Sequence, residues 1–114
     1  AAPINMFSLA YPETTSNWTN RFQMFSTQNM WTFILLDSYN GRLWQVQYST
    51  QDLDNLFCIP INKYELVSDN EKCIFSIQPL TSMYQYYLIN DNTGDMWKFQ
   101  WSTKGDDYRW IEKF

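Results

Sequence analysis

Apolar and polar residues alternate in short runs of this chain, which is the period-two pattern of a half-buried β-strand. In residues 44–48, Trp-Gln-Val-Gln-Tyr, the apolar side chains share one face and the glutamines share the other. Glycines and Asp/Asn clusters separate such runs, and no ten-residue window has a clear 3.6-residue period. The pattern therefore predicts an all-β protein with eight strands: Arg21–Ser26, Met30–Asp37, Arg42–Thr50, Leu56–Ile61, Lys72–Ile77, Met83–Asn90, Asp95–Thr103 and Tyr108–Lys113.

The eight predicted strands fall into two similar halves. A shift of 53 places residues 22–50 on residues 75–103 without a gap. The halves are identical at Phe22/Phe75, Met30/Met83, Leu35/Leu88, Gly41/Gly94, Trp44/Trp97, Gln47/Gln100, Ser49/Ser102 and Thr50/Thr103. We interpret the chain as a leader, residues 1–10, followed by one β domain of two tandem repeats, residues 11–63 and 64–114. Each repeat predicts a four-stranded antiparallel unit.

The two units can close in more than one way. The favoured prediction is an eight-stranded barrel or sandwich with pseudo-twofold symmetry. In that arrangement, the equivalent pairs Trp44/Trp97 and Tyr48/Trp101 belong to one twofold core. The alternative is a pair of propeller-like blades that is completed by oligomerisation of several chains.

A glycine ends the central turn of each unit, at Gly41 and at Gly94. This position suits a left-handed backbone, where a side chain costs about 1 kcal/mol, so Gly41→Val should disturb folding more than most surface changes. Asp37 precedes the first turn and Asn90 the second. Both residue types cap turns, which predicts one shared capping role.

The sequence Asn-Met-Trp-Thr-Phe-Ile-Leu-Leu-Asp at residues 29–37, followed by Gly-Arg-Leu-Trp-Gln-Val-Gln-Tyr-Ser at residues 41–49, resembles small tandem-repeat proteins of gut bacteria. The resemblance covers nearly all of residues 20–114. The second unit departs from it, with Asn90 for the aspartate and Trp-Lys-Phe-Gln at residues 97–100. The resemblance implies a bacterial origin and favours export. It supplies no catalytic residue, since that group has no established activity.

Composition and charge narrow the chemistry of the chain. The 12 acidic and 8 basic residues give a net charge of −4, which argues against nucleic acid as a partner. The absence of histidine excludes Ser-His and Cys-His catalysis and histidine metal sites. The longest apolar run, residues 33–36, is too short for a transmembrane span. The start Ala-Ala-Pro fits removal of a signal peptide, which predicts export to the periplasm, the cell surface or the medium.

The two cysteines, Cys58 and Cys73, lie in strand-like segments. In an exported protein they are candidates for a disulfide between neighbouring strands, and two buried free thiols are the alternative. Two thiols cannot close a zinc site, and residues 90–95 match a calcium loop only loosely, so that a turn is the better interpretation. We therefore expect no metal or cofactor.

Aromatic residues make up 19% of the chain, more than one small core needs. Tryptophan and tyrosine suit surfaces that stack on a sugar face or a partner side chain. The candidate binding residues lie in turns, at strand ends or on polar faces: Trp18, Tyr39, Gln47, Tyr87, Gln100, Tyr108 and Trp110.

Three functional hypotheses follow from these residues. The first is a non-enzymatic, exported module that binds carbohydrate or a protein partner through aromatic residues. The second is an accessory or structural subunit of a bacterial envelope assembly. The third is a glycan-acting enzyme that uses two carboxylates. Because most of the aspartates lie in turns, where this residue is common, the third hypothesis has the least support.

Overall fold

A computed structural model describes residues 20–48, 56–68, 72 and 74–114 of the protein. These residues form two four-stranded antiparallel sheets in which consecutive strands are neighbours. Sheet one contains β1 (Phe22–Ser26), β2 (Thr32–Asp37), β3 (Arg42–Gln47) and β4 (Phe57–Pro60). Sheet two contains β5 (Phe75–Pro79), β6 (Gln85–Asn90), β7 (Met96–Gln100) and β8 (Trp110–Lys113). The predicted leader, residues 1–10, lies outside the described residues.

The all-β prediction and its two four-stranded antiparallel units are confirmed. Each of the eight strands begins within three residues of its predicted start. The closed barrel is wrong, because no described strand of sheet one pairs with a strand of sheet two. The sheets instead pack face to face as a two-layer sandwich. In the part of the chain that is described, no helix is long and apolar enough to cross a membrane.

Strand pairing in sheet two follows the pairing in sheet one at a shift of 53. Leu35 lies opposite Trp44, which lies opposite Pro60. In sheet two, Leu88 lies opposite Trp97, which lies opposite Lys113. We call two residues equivalent when they are 53 positions apart. Equivalent residues occupy the same place in the two sheets and project from the same face.

Each sheet has two faces, which we name A and B. The A face of sheet one carries Phe25, Ile34, Leu36, Leu43 and Gln45, and its B face carries Phe22, Met24, Phe33, Leu35, Trp44 and Val46. The equivalent A face of sheet two carries Gln78, Tyr87, Ile89, Met96 and Lys98, and its B face carries Phe75, Ile77, Tyr86, Leu88, Trp97 and Phe99.

The core lies between the A face of sheet one and the B face of sheet two. From sheet one it takes Ile34, Leu36 and Leu43, and from sheet two it takes Phe75, Tyr86, Leu88, Trp97, Phe99 and Trp101. A twofold axis would bring equivalent faces together, whereas this core joins unlike faces. Of the aromatic residues expected in a twofold core, Trp97 and Trp101 are buried, but Trp44 and Tyr48 lie on the outer side of sheet one.

The hydrogen bonds of a buried glutamine explain how the A face of sheet one, which is partly polar, can pack in the core. Gln45 is fully buried at the centre of the A face. Its Nε2 donates to the carbonyl of Ser102 (2.9 Å), and its Oε1 accepts from the Ser102 amide (3.1 Å) and from Arg109 Nε (2.8 Å). Three hydrogen bonds to the second unit offset the cost of burying the amide, which is about 1–3 kcal/mol when a group is left unpaired. They also fix how the two sheets align.

The central turns have the predicted backbone. Gly41 has φ +83° and Gly94 has φ +79°, both in the left-handed region. Asp37 accepts a hydrogen bond from the Tyr39 amide at 3.1 Å, and Asn90 accepts from the Asn92 amide at 2.9 Å. The predicted capping role that these two residues share is therefore confirmed.

Replacing the two turn glycines by alanine should separate backbone strain from packing. A Cβ on Gly41 would lie 3.0 Å from the ring of Phe75, whereas a Cβ on Gly94 would have no described atom within 4 Å apart from those of its chain neighbours. We expect Gly94→Ala to cost about 1 kcal/mol of unfolding free energy, from the positive φ alone. Gly41→Ala should cost about 2–4 kcal/mol, because overpacking is added. Urea titration of both variants measures the difference, and equal losses would contradict it.

Loss of the Gln45 amide should destabilise the sandwich. Gln45→Leu keeps the side-chain size but leaves the Ser102 backbone and the Arg109 guanidinium with fewer partners, at a cost of about 2–4 kcal/mol. Gln47→Leu is the control, since the side-chain hydrogen bonds of Gln47 to other described residues are long, at 3.4 Å to Thr32 and to Gln45. Chemical denaturation should show the larger loss for Gln45→Leu. A loss no greater than that of the control would exclude a central role for the amide.

Candidate functional site

The predicted binding residues separate into two groups in the structure. Trp18 lies outside the described residues. Tyr39 and Gln47 belong to sheet one, and Tyr87, Gln100, Tyr108 and Trp110 belong to sheet two or the segment before its last strand. Three of the four in the second group are neighbours, since Gln100 lies opposite Trp110 and donates from Nε2 to the carbonyl of Tyr108 at 2.9 Å.

In sheet one, both candidates contact their own chain. The guanidinium of Arg21 lies 4.9 Å from the centre of the Tyr39 ring and also forms a bidentate pair with Asp37, at 3.0 and 2.9 Å. Gln47 projects from the inward A face toward Gln45. Its equivalent, Gln100, projects from the outer A face of sheet two. The identical pair Gln47/Gln100 therefore occupies two different environments.

A cleft of about 190 Å³ lies at the edge of sheet two. It is lined by Ser82, Tyr84, Gln100, Trp101, Ser102, Thr103, Lys104 and Tyr108. Gln100 is held in place because its Oε1 accepts from Gln85 Nε2 at 2.9 Å while its own Nε2 bonds to Tyr108. The volume is below the roughly 300–1,000 Å³ of drug-sized ligand sites, so the cleft suits a ligand no larger than a single ring.

Aromatic rings form the walls of this cleft. The ring of Tyr84 packs 4.7 Å from that of buried Trp101, whose indole N–H donates to the Met83 carbonyl at 2.9 Å. Tyr108 is exposed, with Lys104 Nζ 5.7 Å from its ring centre. The sequence interpretation selected Tyr108 and Gln100 but missed Tyr84 and Lys104. The alignment of Tyr84 with Trp31 in the repeat was the one signal that could have identified it.

The outer B face of sheet one is the second candidate surface. Phe22 is 52% exposed and Met24 is 56% exposed. Trp44 lies 6.5 Å from the Phe22 ring and is covered on one side by the guanidinium of Arg42, at 4.9 Å. The equivalents of Phe22 and Trp44 in sheet two are buried in the core. Sheet one therefore exposes the kind of face that sheet two buries.

Cys58 also belongs to this outer face, since it lies opposite Val46. It is exposed and carries a free thiol. Partial burial raises the pKa of this thiol, which favours the protonated, less reactive form at neutral pH. The disulfide between Cys58 and Cys73 stays a prediction, because Cys73 lies outside the described residues.

Three of the aspartates that were considered for a glycan-acting enzyme have local partners. Asp91 accepts from Ser76 at 2.9 Å, Asp95 from Thr93 at 3.1 Å, and Asp106 from Arg109 at 2.7 Å. These contacts are typical of turn residues. Among the described residues, no group of three or more Cys, Asp or Glu side chains could hold a metal ion.

Comparison of this chain with family models, curated proteins and solved structures finds no match. The described residues present two candidate surfaces. One is a small aromatic cleft on sheet two, and the other is an extended apolar face on sheet one.

Proposed function

We propose that the protein is a non-enzymatic binding module that docks onto a protein partner through the outer B face of sheet one. The supporting observation is the exposure of Phe22 and Met24 beside Trp44 on one continuous face. Isolated soluble domains rarely leave large contiguous apolar patches in water. Interface cores are rich in aromatic residues and methionine, which is the composition of this face.

The charges on this face are compatible with docking. Asp37 is only 3% exposed and is neutralised by the bidentate pair with Arg21. The guanidinium carbon of Arg42 lies 4.9 Å from the centre of the Trp44 ring, so that its charge is held against an aromatic ring. A partner would therefore cover apolar groups without leaving the Asp37 carboxylate unpaired, which would be costly.

This function makes the chain a subunit of a larger assembly. The resemblance of residues 29–49 to gut-bacterial proteins supports placing this assembly at the cell envelope. The protein contributes a preformed surface, because the backbone of sheet one is fixed by strand pairing and by the Gln45 contacts with the second unit.

Site-specific photocrosslinking in the cells that produce the protein tests the docking face. A benzophenone amino acid at position 24 should yield covalent adducts with protein. The same group at position 28, which is exposed in the turn between β1 and β2, is the control and should yield few. Equal yields from the two positions, or no adduct from position 24, would contradict the proposal.

A second candidate function is carbohydrate binding in the cleft on sheet two. It is favoured by two exposed aromatic rings, Tyr84 and Tyr108, beside the fixed amide of Gln100. Aromatic rings stack on the apolar face of a sugar, while amides bond to its hydroxyl groups. The size of the cleft limits the recognised part of a glycan to about one ring.

A glycan array tests this second function. Any glycan bound by the wild-type protein should bind at least tenfold more weakly to Tyr108→Ala or Tyr84→Ala, which corresponds to about 1.4 kcal/mol. Tyr64→Ala is the matched control, because Tyr64 is 77% exposed and does not line the cleft. Absence of binding by the wild-type protein would count against the function, as would an equal effect of the control.

A further inference from the structure

We infer that copies of this chain associate head to tail, with the outer B face of sheet one packed on the outer A face of sheet two of the next copy. The inference rests on the proposed docking function and names its partner as a second copy of the chain. It follows from how the two sheets of one chain already pack.

The contact inside the chain joins unlike faces, A of sheet one and B of sheet two. Such a contact is heterologous, and among the described residues it leaves one face of each kind with no sheet packed on it, which we call the free faces. The free faces are the B face of sheet one and the A face of sheet two. They are equivalent to the two faces that pack together in the core, so the same mode of packing can be repeated between chains.

Apolar residues recur at the equivalent positions of both free faces. On the A side, the fully buried residues Ile34, Leu36 and Leu43 are replaced by Tyr87, Ile89 and Met96, which are half-buried. On the B side, buried Phe75, Leu88 and Trp97 have the identical equivalents Phe22, Leu35 and Trp44. Each of the two faces that form the internal core thus has an equivalent apolar face on the outside of the chain.

The turn glycines give an independent indication. Inside the chain, the first turn packs so closely that a Cβ on Gly41 would lie 3.0 Å from the ring of Phe75. The equivalents of these two residues are Gly94 and Phe22, which are identical to them in type. The space around a Cβ on Gly94 is open, with no described atom within 4 Å beyond its chain neighbours, and the ring of Phe22 is half-exposed. Head-to-tail packing places Gly94 against Phe22 of the next copy.

The contact between chains differs from the internal contact at its centre. Lys98 occupies the position equivalent to buried Gln45, and it lies opposite Glu112 on β8. Charged residues suit a face that is exposed to solvent whenever the chain is not bound to another copy. The contact between chains should therefore be weaker than the internal one and should respond to salt. Repetition of a heterologous contact gives either a closed ring or an open filament.

Sedimentation velocity of the full chain and of two face variants tests the inference. Met24→Lys places a charge on the B face of sheet one, and Ile89→Lys places one on the A face of sheet two. We expect the wild-type protein to assemble and each variant alone to sediment as a monomer. Gln28→Lys and Thr81→Lys add the same charge at equivalent exposed turn positions and should assemble like the wild type.

Mixing the two face variants is the decisive step. Met24→Lys keeps an intact A face and Ile89→Lys keeps an intact B face, so that an equimolar mixture should form a dimer of one of each. Circular dichroism checks that both variants fold, and Phe22→Lys with Tyr87→Lys provides a second pair. Only a heterologous contact predicts this recovery by mixing.

Two results would overturn the inference. One is a wild-type chain that stays monomeric at all concentrations. That result would exclude a second copy as the partner, and the outer B face would then be left to residues 1–19 or to a different protein. The other is assembly that Met24→Lys abolishes and Ile89→Lys leaves intact, since this is the behaviour of a symmetric pair through sheet one. A crosslink from position 24 to a protein of different mass would keep the proposed docking function while excluding a second copy as the partner.

Discussion

The packing of the A face of sheet one on the B face of sheet two is the interaction on which the rest of the structure depends. A four-stranded meander by itself has two exposed faces and little protected core. Joining the two sheets buries Ile34 and Leu36 against Leu88 and Phe99. The Gln45 hydrogen bonds to Ser102 fix the alignment of the layers at the same point. The exposed face and the cleft both take their positions from this contact.

Local patterns predicted the strands because strand formation in this chain has local causes. Alternation placed β3, the left-handed glycines marked the central turns, and Asp37 and Asn90 capped them. The choice of buried face could not be predicted in the same way. Alternation in β3 favoured the face of Trp44, whereas β2 is apolar on both faces. Burial of Gln45 depends on Ser102 and Arg109, more than fifty positions away, and no local pattern contains that information.

Some residues of the candidate site could be predicted from the sequence, but their arrangement could not. Gln100 and Tyr108 were chosen as separate polar and aromatic residues, and the structure brings them into one hydrogen bond. Tyr84 was absent from the selection because it joins the cleft through two contacts with Trp101, a backbone hydrogen bond from the Trp101 amide and the packing of the two rings. The outer face of sheet one was also missed as a surface. Its residues repeat those of sheet two, and sequence alone assigns equivalent residues to equivalent environments.

The exposed B face links folding to concentration. Repeat proteins usually end in capping units with polar outer faces, and no unit of that kind among the described residues covers Phe22 and Met24. When a partner binds only the folded chain, the apparent stability rises with the concentration of that partner. The domain would then be least stable at low concentrations of its partner. In a cell that makes too little of the partner, more of the domain would unfold and be degraded by proteases. The amount of folded protein in the cell would thereby match the amount that is bound in the complex.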